Sequence, residues 1–369
     1  MPTSSGFQVN EILTAANTNQ YLLRPYTNAI INGAMNITQR GTSLAGITSG
    51  DNIGTADRWF LGLLTAGTWT ETTQALTSSD APVQEGIRNS TKITCTTANA
   101  SLSANAFNVF GQKIEGFNLQ QFAKGTTGAK SFALSFWVKS NITGTFIAEL
   151  YDYANTRNIS SAYTITSSGV WQKVRIVFSA DFTGMIPNDN AHRFTFFAWL
   201  AAGSAYTSGT LKTAWGSDVS NRRAVGQVNL AATINNYFEI TGVQLEPNGV
   251  CTPFEIRTYS DEFASCLRYF QRHTQPSLRG VCAASFTRMA LHYGTPMRSL
   301  PTMTSNGGTM GFWDGITGAV GAVGFTFVYS LGNSTCEADI SSSGWTAGRA
   351  AVSYQGVGHT FVLDLNAEL

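Results

Sequence analysis

The dominant pattern along the chain is alternation with a period of two. Phe132, Leu134, Phe136 and Val138 alternate with Ser131, Ala133, Ser135 and Lys139. After Trp171-Gln172-Lys173, Val174, Ile176 and Phe178 are set against Lys173 and Arg175. Phe194, Phe196, Ala198 and Leu200 alternate with Arg193, Thr195, Phe197 and Trp199. One apolar and one polar face per segment predicts antiparallel strands packed on one side. Phe197 and Trp199 break the rule, because their face should be polar. Three readings stand: cover by another layer, cover by a neighbouring subunit, or a binding face.

Residues 237–255 read YFEITGVQLEPNGVCTPFE. Phe238 and Ile240 share one face, but beyond Gly242 the apolar positions shift to Val243 and Leu245. A slip of one residue at a glycine predicts a β-bulge, which keeps one face inward while the strand bends. Pro247-Asn248-Gly249 predicts a turn. Residues 250–254 follow as a short extended piece, with Pro253 suited to an edge. This reads as the last strand of a sandwich and its exit.

Helical spacing appears once with caps. Ser260 is the expected N-cap, and Asp261 and Glu262 favour the positive end of the helix dipole. Phe263, Cys266, Leu267 and Phe270 form one apolar face of a helix of about 12 residues. Gln275-Pro276-Ser277 ends it. Beyond it Gly and Ser rise, and the apolar runs 281–291, 324–330 and 359–365 alternate with turns. The chain is therefore expected to be all-β: an arm over 1–27, an antiparallel jelly-roll β-sandwich over 28–257, a short helix as a hinge over 258–273, and a small C-terminal β-sandwich tip over 274–369. The arm reads either as a flexible lead-in or as a docking peptide. No fixed internal period supports a solenoid.

Composition agrees. Only 12% of the 369 residues are charged, about half the usual share, while Ser and Thr are abundant throughout. The net charge of +1 and the lack of a basic stripe argue against nucleic acid. No run of apolar residues is long enough for membrane insertion, and the first residues lack the pattern of a signal peptide. Five cysteines without regular spacing read as buried small hydrophobes rather than as a disulfide or zinc framework.

The stretch 237–255, followed by Cys266-Leu267-Arg268-Tyr269-Phe270, resembles the segment that closes a jelly roll in bacteriophage tail-fibre proteins. Three stretches near the start are similar to the opening of the same family: Asn28-Ala29-Ile30-Ile31-Asn32-Gly33, Gln39-Arg40-Gly41 and Ala56-Asp57-Arg58-Trp59. The resemblance covers roughly residues 28–273. It implies a virion fibre with a jelly roll like that of carbohydrate-binding modules, a homotrimer, assembly in the host cytoplasm, and attachment to tail or capsid proteins through the arm. Asp57 and Arg58 read as residues that fix the local backbone, and Trp59 as a plug of the sandwich.

Chemistry is sparse. A glycosidase needs two carboxylates roughly 5–10 Å apart, and the 22 acidic residues show no cluster at strand spacing. The histidines His192, His273, His292 and His359 lack a Gly-x-Ser-x-Gly elbow. Only groups brought together by folding would make an enzyme, and none is expected, nor is a cofactor. By analogy with carbohydrate-binding modules, Asp181, Asp189 and Asn190 in one loop offer oxygens for a structural calcium. Sugar binding needs an aromatic plate and a few polar partners. The tip candidates for a glycan are Trp313 with Asp314, Trp345, and Tyr354, all on turn-like segments where each reads either as core or as platform. The expected function is a tail fibre that adsorbs to a bacterial surface polysaccharide. The alternative is a purely structural head fibre or tail adaptor.

Overall fold

The alternating segments all form strands. The computed structural model describes residues 27–369 apart from 275, 277, 283–285, 306–308, 314–317, 323–324, 331, 333, 342–346 and 355–360. The arm expected over 1–27 therefore lies outside the described residues but for Thr27. The chain divides into two compact units, Met1–Glu262 and Phe263–Leu369.

The first unit holds β1 (Ser43–Ile47), β2 (Gly50–Ile53), β3 (Trp59–Leu64), β4 (Thr68–Ala75), β5 (Asn89–Thr97), β6 (Phe107–Glu115), β7 (Phe132–Ser140), β8 (Gly144–Asp152), β9 (Arg157–Ile165), β10 (Gln172–Phe178), β11 (His192–Ala202), β12 (Gly216–Ser217) and β13 (Tyr237–Pro247). One sheet runs β1-β4-β5-β13-β7-β10 and the other β12-β9-β8-β11-β6-β3-β2. Neighbouring strands are antiparallel, as in β7 with β10 and β6 with β11. This is the two-layer jelly-roll sandwich that the alternation implied.

The core lies between the sheets. Trp59 stacks on Phe110 at 5.0 Å between ring centroids, and Phe196 meets Trp59 edge-on at 6.2 Å. Each buried aromatic of this kind contributes about 1.5–3 kcal/mol through the water it leaves. Trp59 plugs the sandwich as expected, with its indole N–H donating to the Asn32 carbonyl at 3.0 Å. Asp57 accepts from the Gln39 backbone at 3.0 Å, and Arg58 donates to the Lys113 carbonyl at 2.7 Å.

The bulge in β13 is present. Register against β7 slips between Thr241 and Gln244, and Gly242 has φ +61°. Phe238, Ile240, Val243 and Leu245 all remain buried across the slip. β5 pairs only with the first half of β13. Residues 28–33 take the vacated edge. Ala29 donates its N–H to the Leu245 carbonyl at 2.9 Å, Val243 donates to the Gly33 carbonyl at 3.0 Å, and the Asn28 side chain accepts from the Leu245 N–H at 2.9 Å.

Residues 250–254, expected as a short extended piece, form no strand ladder. Side chains of β13 hold them instead: Glu246 accepts from the Thr252 N–H at 2.8 Å, and Gln244 donates to the Pro253 carbonyl at 3.2 Å. These side-chain bonds replace a ladder that Pro253, lacking an N–H, could not complete.

Among the described residues, besides the short α1 (Ser204–Thr207), there is one longer α-helix, α2 (Tyr259–Leu267). It is shorter than expected. Thr258 rather than Ser260 supplies the capping oxygen, accepting from the Asp261 N–H at 3.2 Å. A tighter turn, Tyr269 N–H to the Cys266 carbonyl at 2.9 Å, closes the far end. Phe270 lies off the helix and opens a strand.

The second unit holds β14 (Phe270–Thr274), β15 (Arg279–Cys282), β16 (Phe286–His292), β17 (Thr302–Ser305), β18 (Thr309–Trp313), β19 (Gly318–Ala322), β20 (Phe325–Ser330), β21 (Thr335–Ser341), β22 (Ala350–Tyr354) and β23 (Val362–Asn366). They form a sheet β14-β23-β17 and a sheet β19-β18-β22-β15-β16-β21-β20. Leu278, Met289, Leu291, Met297, Phe361 and Leu365 are in the core between them. This is the small C-terminal β-sandwich. Cys95, Cys266 and Cys282 are buried, and Cys251 is half-buried.

Candidate functional site

The site grows from the two residues that broke the alternation. Inward residues Phe194, Phe196, Ala198 and Leu200 of β11 join the main core. Phe197 and Trp199 face the other way, yet are only 6% and 2% exposed. Their cover is the chain itself, residues 203–232 between β11 and β13. Gly203 starts this excursion with its N–H on the Ala106 carbonyl at 2.8 Å, where a Cβ would stand 2.1 Å from the Ser103 carbonyl oxygen. The Ser160 N–H donates to the Lys212 carbonyl at 2.7 Å, and the Ser160 hydroxyl donates to the Arg223 carbonyl at 2.8 Å. Those bonds staple the excursion to β9 and place the Arg223 side chain over the sheet.

The cover is incomplete. It leaves a pocket of about 130 Å³ on the outer face of the seven-stranded sheet. Its walls are aromatic: Phe197 meets Phe60 edge-on at 6.1 Å, and Tyr206 of α1 lies 5.3 Å from Trp199 and 5.9 Å from Phe107 between ring centroids. Tyr153, 45% exposed, also lines it and leans on Tyr151 at 4.4 Å and His192 at 4.3 Å. Val109, Asp51, Lys113 and Arg223 complete the lining.

The charged groups here are paired. Glu149, fully buried on β8, accepts from Arg223 Nε at 2.8 Å and Nη2 at 3.0 Å. It also accepts from the Trp199 indole N–H at 2.9 Å and from Asn158 at 2.8 Å. The Arg223 guanidinium lies 4.8 Å from the Tyr151 ring and 5.4 Å from the Trp199 ring, a cation–π arrangement. Burial disfavours its charge, but Glu149 more than offsets this and raises the arginine above its ordinary value. Burial, with Asp218 second, pushes the Tyr151 hydroxyl up to about 12. Lys113 stands 3.1 Å from Asp51 and 5.3 Å from the Phe60 ring centroid.

The tip candidates fall elsewhere. Trp313 is the last residue of β18 and 49% exposed, and it pairs across the ladder with Val352. Tyr354 ends β22 and pairs with Gly311. Both are thus strand residues on neighbouring strands rather than turn residues, because the ladder between β18 and β22 extends to the ends of both runs. Asp314 and Trp345 lie outside the described residues.

The loop aspartates that offered oxygens for a calcium have other partners. Lys124 puts its ammonium 2.6 Å from Asp152 and 3.0 Å from Asp181, and Arg157 Nε donates to Asp181 at 2.9 Å. Asp189 accepts from Arg193 Nε at 3.0 Å. The chain's own cations neutralise both loop aspartates. Among the described residues no group of three or more His, Cys, Asp or Glu is arranged to hold a metal.

Sequence reasoning missed Asp51, Lys113, Glu149, Tyr153 and Arg223. One signal was available: Glu149 sits among apolar residues in β8 (GTFIAELYD), on the same face as the anomalous Phe197, which it opposes in the ladder. Arg223 comes from an irregular segment whose path is set only by folding.

No family model and no curated protein matches this chain. Solved structures with partial likeness include the enzymatically active domain of tailspike protein 4 of bacteriophage CBA120, at 16% identity and a TM-score of 0.33, covering 62% of this chain and 22% of that one. A family 4 carbohydrate-binding module matches at 12% identity and a TM-score of 0.28, covering 59% of this chain and 98% of its own. A family 11 module of a Clostridium thermocellum cellulosomal cellulase matches at 11% identity and a TM-score of 0.26, covering 54% of this chain and 95% of its own. This chain thus spans about a fifth of the tailspike chain's length.

Proposed function

We propose that this protein is a glycan-binding appendage of a phage particle, and that the outer-face pocket is where it holds sugar. The carrying observation is an aromatic-walled pocket with two ion pairs, Lys113 with Asp51 and Arg223 with Glu149, at its surface and floor. Aromatic faces suit the C–H face of a sugar ring, and fixed polar groups suit its hydroxyls. The tail-fibre resemblance supplies the setting: a virion surface, a homotrimer, and mounting through the N-terminal residues. Threefold assembly would multiply weak single-site affinity.

Binding proceeds without cleavage in this reading. Glu149 already accepts four hydrogen bonds from Arg223, Trp199 and Asn158, so both its oxygens are taken up by the fold. A general acid needs a proton to give and room to give it.

The test uses the full-length protein on a glycan array and on host surface polysaccharide, with light scattering for the oligomer. Binding that Tyr153→Ala and Lys113→Ala weaken, and Trp313→Ala does not, supports the pocket. Loss on Trp313→Ala alone would move the site to the C-terminal unit. Incorporation into particles with no glycan binding would leave the purely structural alternative.

A further inference from the structure

We infer that the pocket accepts one neutral six-membered sugar ring at a glycan terminus or branch, and not a length of polysaccharide chain. This rests on the glycan reading above and narrows its ligand. Size is the first argument. The pocket measures about 130 Å³. A cavity of about 150 Å³ is filled by a single benzene ring, whereas sites for larger ligands run to roughly 300–1,000 Å³. Two linked pyranoses do not fit such a space together.

Shape is the second. A chain-binding cleft lies open along the sheet at both ends. Here the excursion 203–232 sets Tyr206 against Trp199 and Phe107 and lays Arg223 across Phe197. Tyr153 stands at the rim, held by Tyr151 and His192. Walls therefore flank the place where one ring would sit, and the rest of the pocket opens to solvent.

Charge is the third. Two cations line the pocket and each has its anion: Lys113 pairs with Asp51, also in the lining, at 3.1 Å, and Arg223 pairs with the buried Glu149 at 2.8 Å. His192 behind the rim adds no charge near neutral pH, since burial pushes its pKa down to about 4. A uronate or sialate would lose its hydration without meeting an uncompensated cation, a net penalty. A neutral ring exchanges hydroxyl–water bonds for hydroxyl–protein bonds.

Calorimetry on the full-length protein with defined probes tests this. The probes are methyl pyranosides of glucose, galactose, mannose and rhamnose, their uronic acids where these exist, and homologous oligosaccharides of two to six units. We expect one neutral pyranoside to bind, with affinity changing by no more than about threefold from disaccharide to hexasaccharide, and about a tenfold loss on Tyr153→Ala. Affinity that climbs with every added unit would overturn the single-ring reading while sparing glycan binding. Preference for a uronic acid would overturn neutrality alone. No heat with any carbohydrate would sink the glycan reading itself, and this inference with it.

Discussion

Lys124 and Asp152 form an ion pair at 2.6 Å in which both side chains are almost wholly buried. The same ammonium reaches Asp181 at 3.0 Å and donates to the Thr183 and Gly184 carbonyls at 2.9 Å each. A single cation thus ties β8 to the loop after β10. Removing it leaves the buried Asp152 carboxylate without a cation, while Asp181 keeps Arg157.

Lys124→Ala is therefore expected to destabilise the protein by about 3–5 kcal/mol, as breaking a buried pair does. The two carboxylates and two carbonyls left behind are hard oxygen donors. Millimolar calcium should recover part of the lost melting temperature in this variant and leave the parent unmoved. Thermal scans with calcium and with chelator check both points.

Glu149→Ala should unfold much of the pocket. It leaves the Arg223 charge, the Trp199 indole N–H and the Asn158 amide without the acceptor they share. A cost of about 3–5 kcal/mol is expected from the arginine alone. Tyr153→Ala, at the exposed rim, should cost no more than about 1 kcal/mol. Urea unfolding of the two variants distinguishes a foundation from a contact surface.

Gly33→Ala tests how residues 28–33 dock on β13. A Cβ there would stand 2.2 Å from the Val243 carbonyl oxygen, which is backbone and cannot swing away. The expected loss is about 1–3 kcal/mol. Gly128→Ala, whose nearest neighbour is 3.7 Å away, should be close to neutral in the same denaturant titration.

Glu71 gives a pH dependence. Burial pushes its carboxyl from an ordinary 4.5 up to about 7, against opposing hydrogen bonds from Thr55. The native state holds this proton more tightly than the unfolded chain. Below pH 4.5 both states are protonated and the contribution is complete; between 4.5 and 7 only the native state keeps the proton, so stability falls as pH rises, and above 7 the contribution is gone. The span corresponds to roughly 3 kcal/mol. Glu71→Gln should flatten this fall. His192 slopes the opposite way, since its depressed pKa removes stability as pH drops, but it is common to both proteins and cancels in their difference. Unfolding midpoints across that window, parent against variant, read the effect.

Much of the scaffold was legible from local pattern. The β11 alternation, the bulge at Gly242 and the role of Trp59 depend on residues a few positions apart, and local sterics and burial decide them. Helix α2 was visible through Asp261 and Glu262 but overextended, because Phe270 has helical spacing by chance and is claimed by a strand that pairs with residues near the C-terminus. The pocket was visible only as an anomaly, two aromatics on a face that ought to be polar.

Alternation along the chain determined that this protein stacks antiparallel sheets, since a strand's two faces are set by consecutive residues. Whether Phe197 and Trp199 meet solvent, another subunit or their own chain was decided by an excursion that returns to the sheet through Ser160 and carries Arg223 onto Glu149, 74 positions away. Pairing across such a distance follows from three-dimensional packing and leaves no period in the sequence.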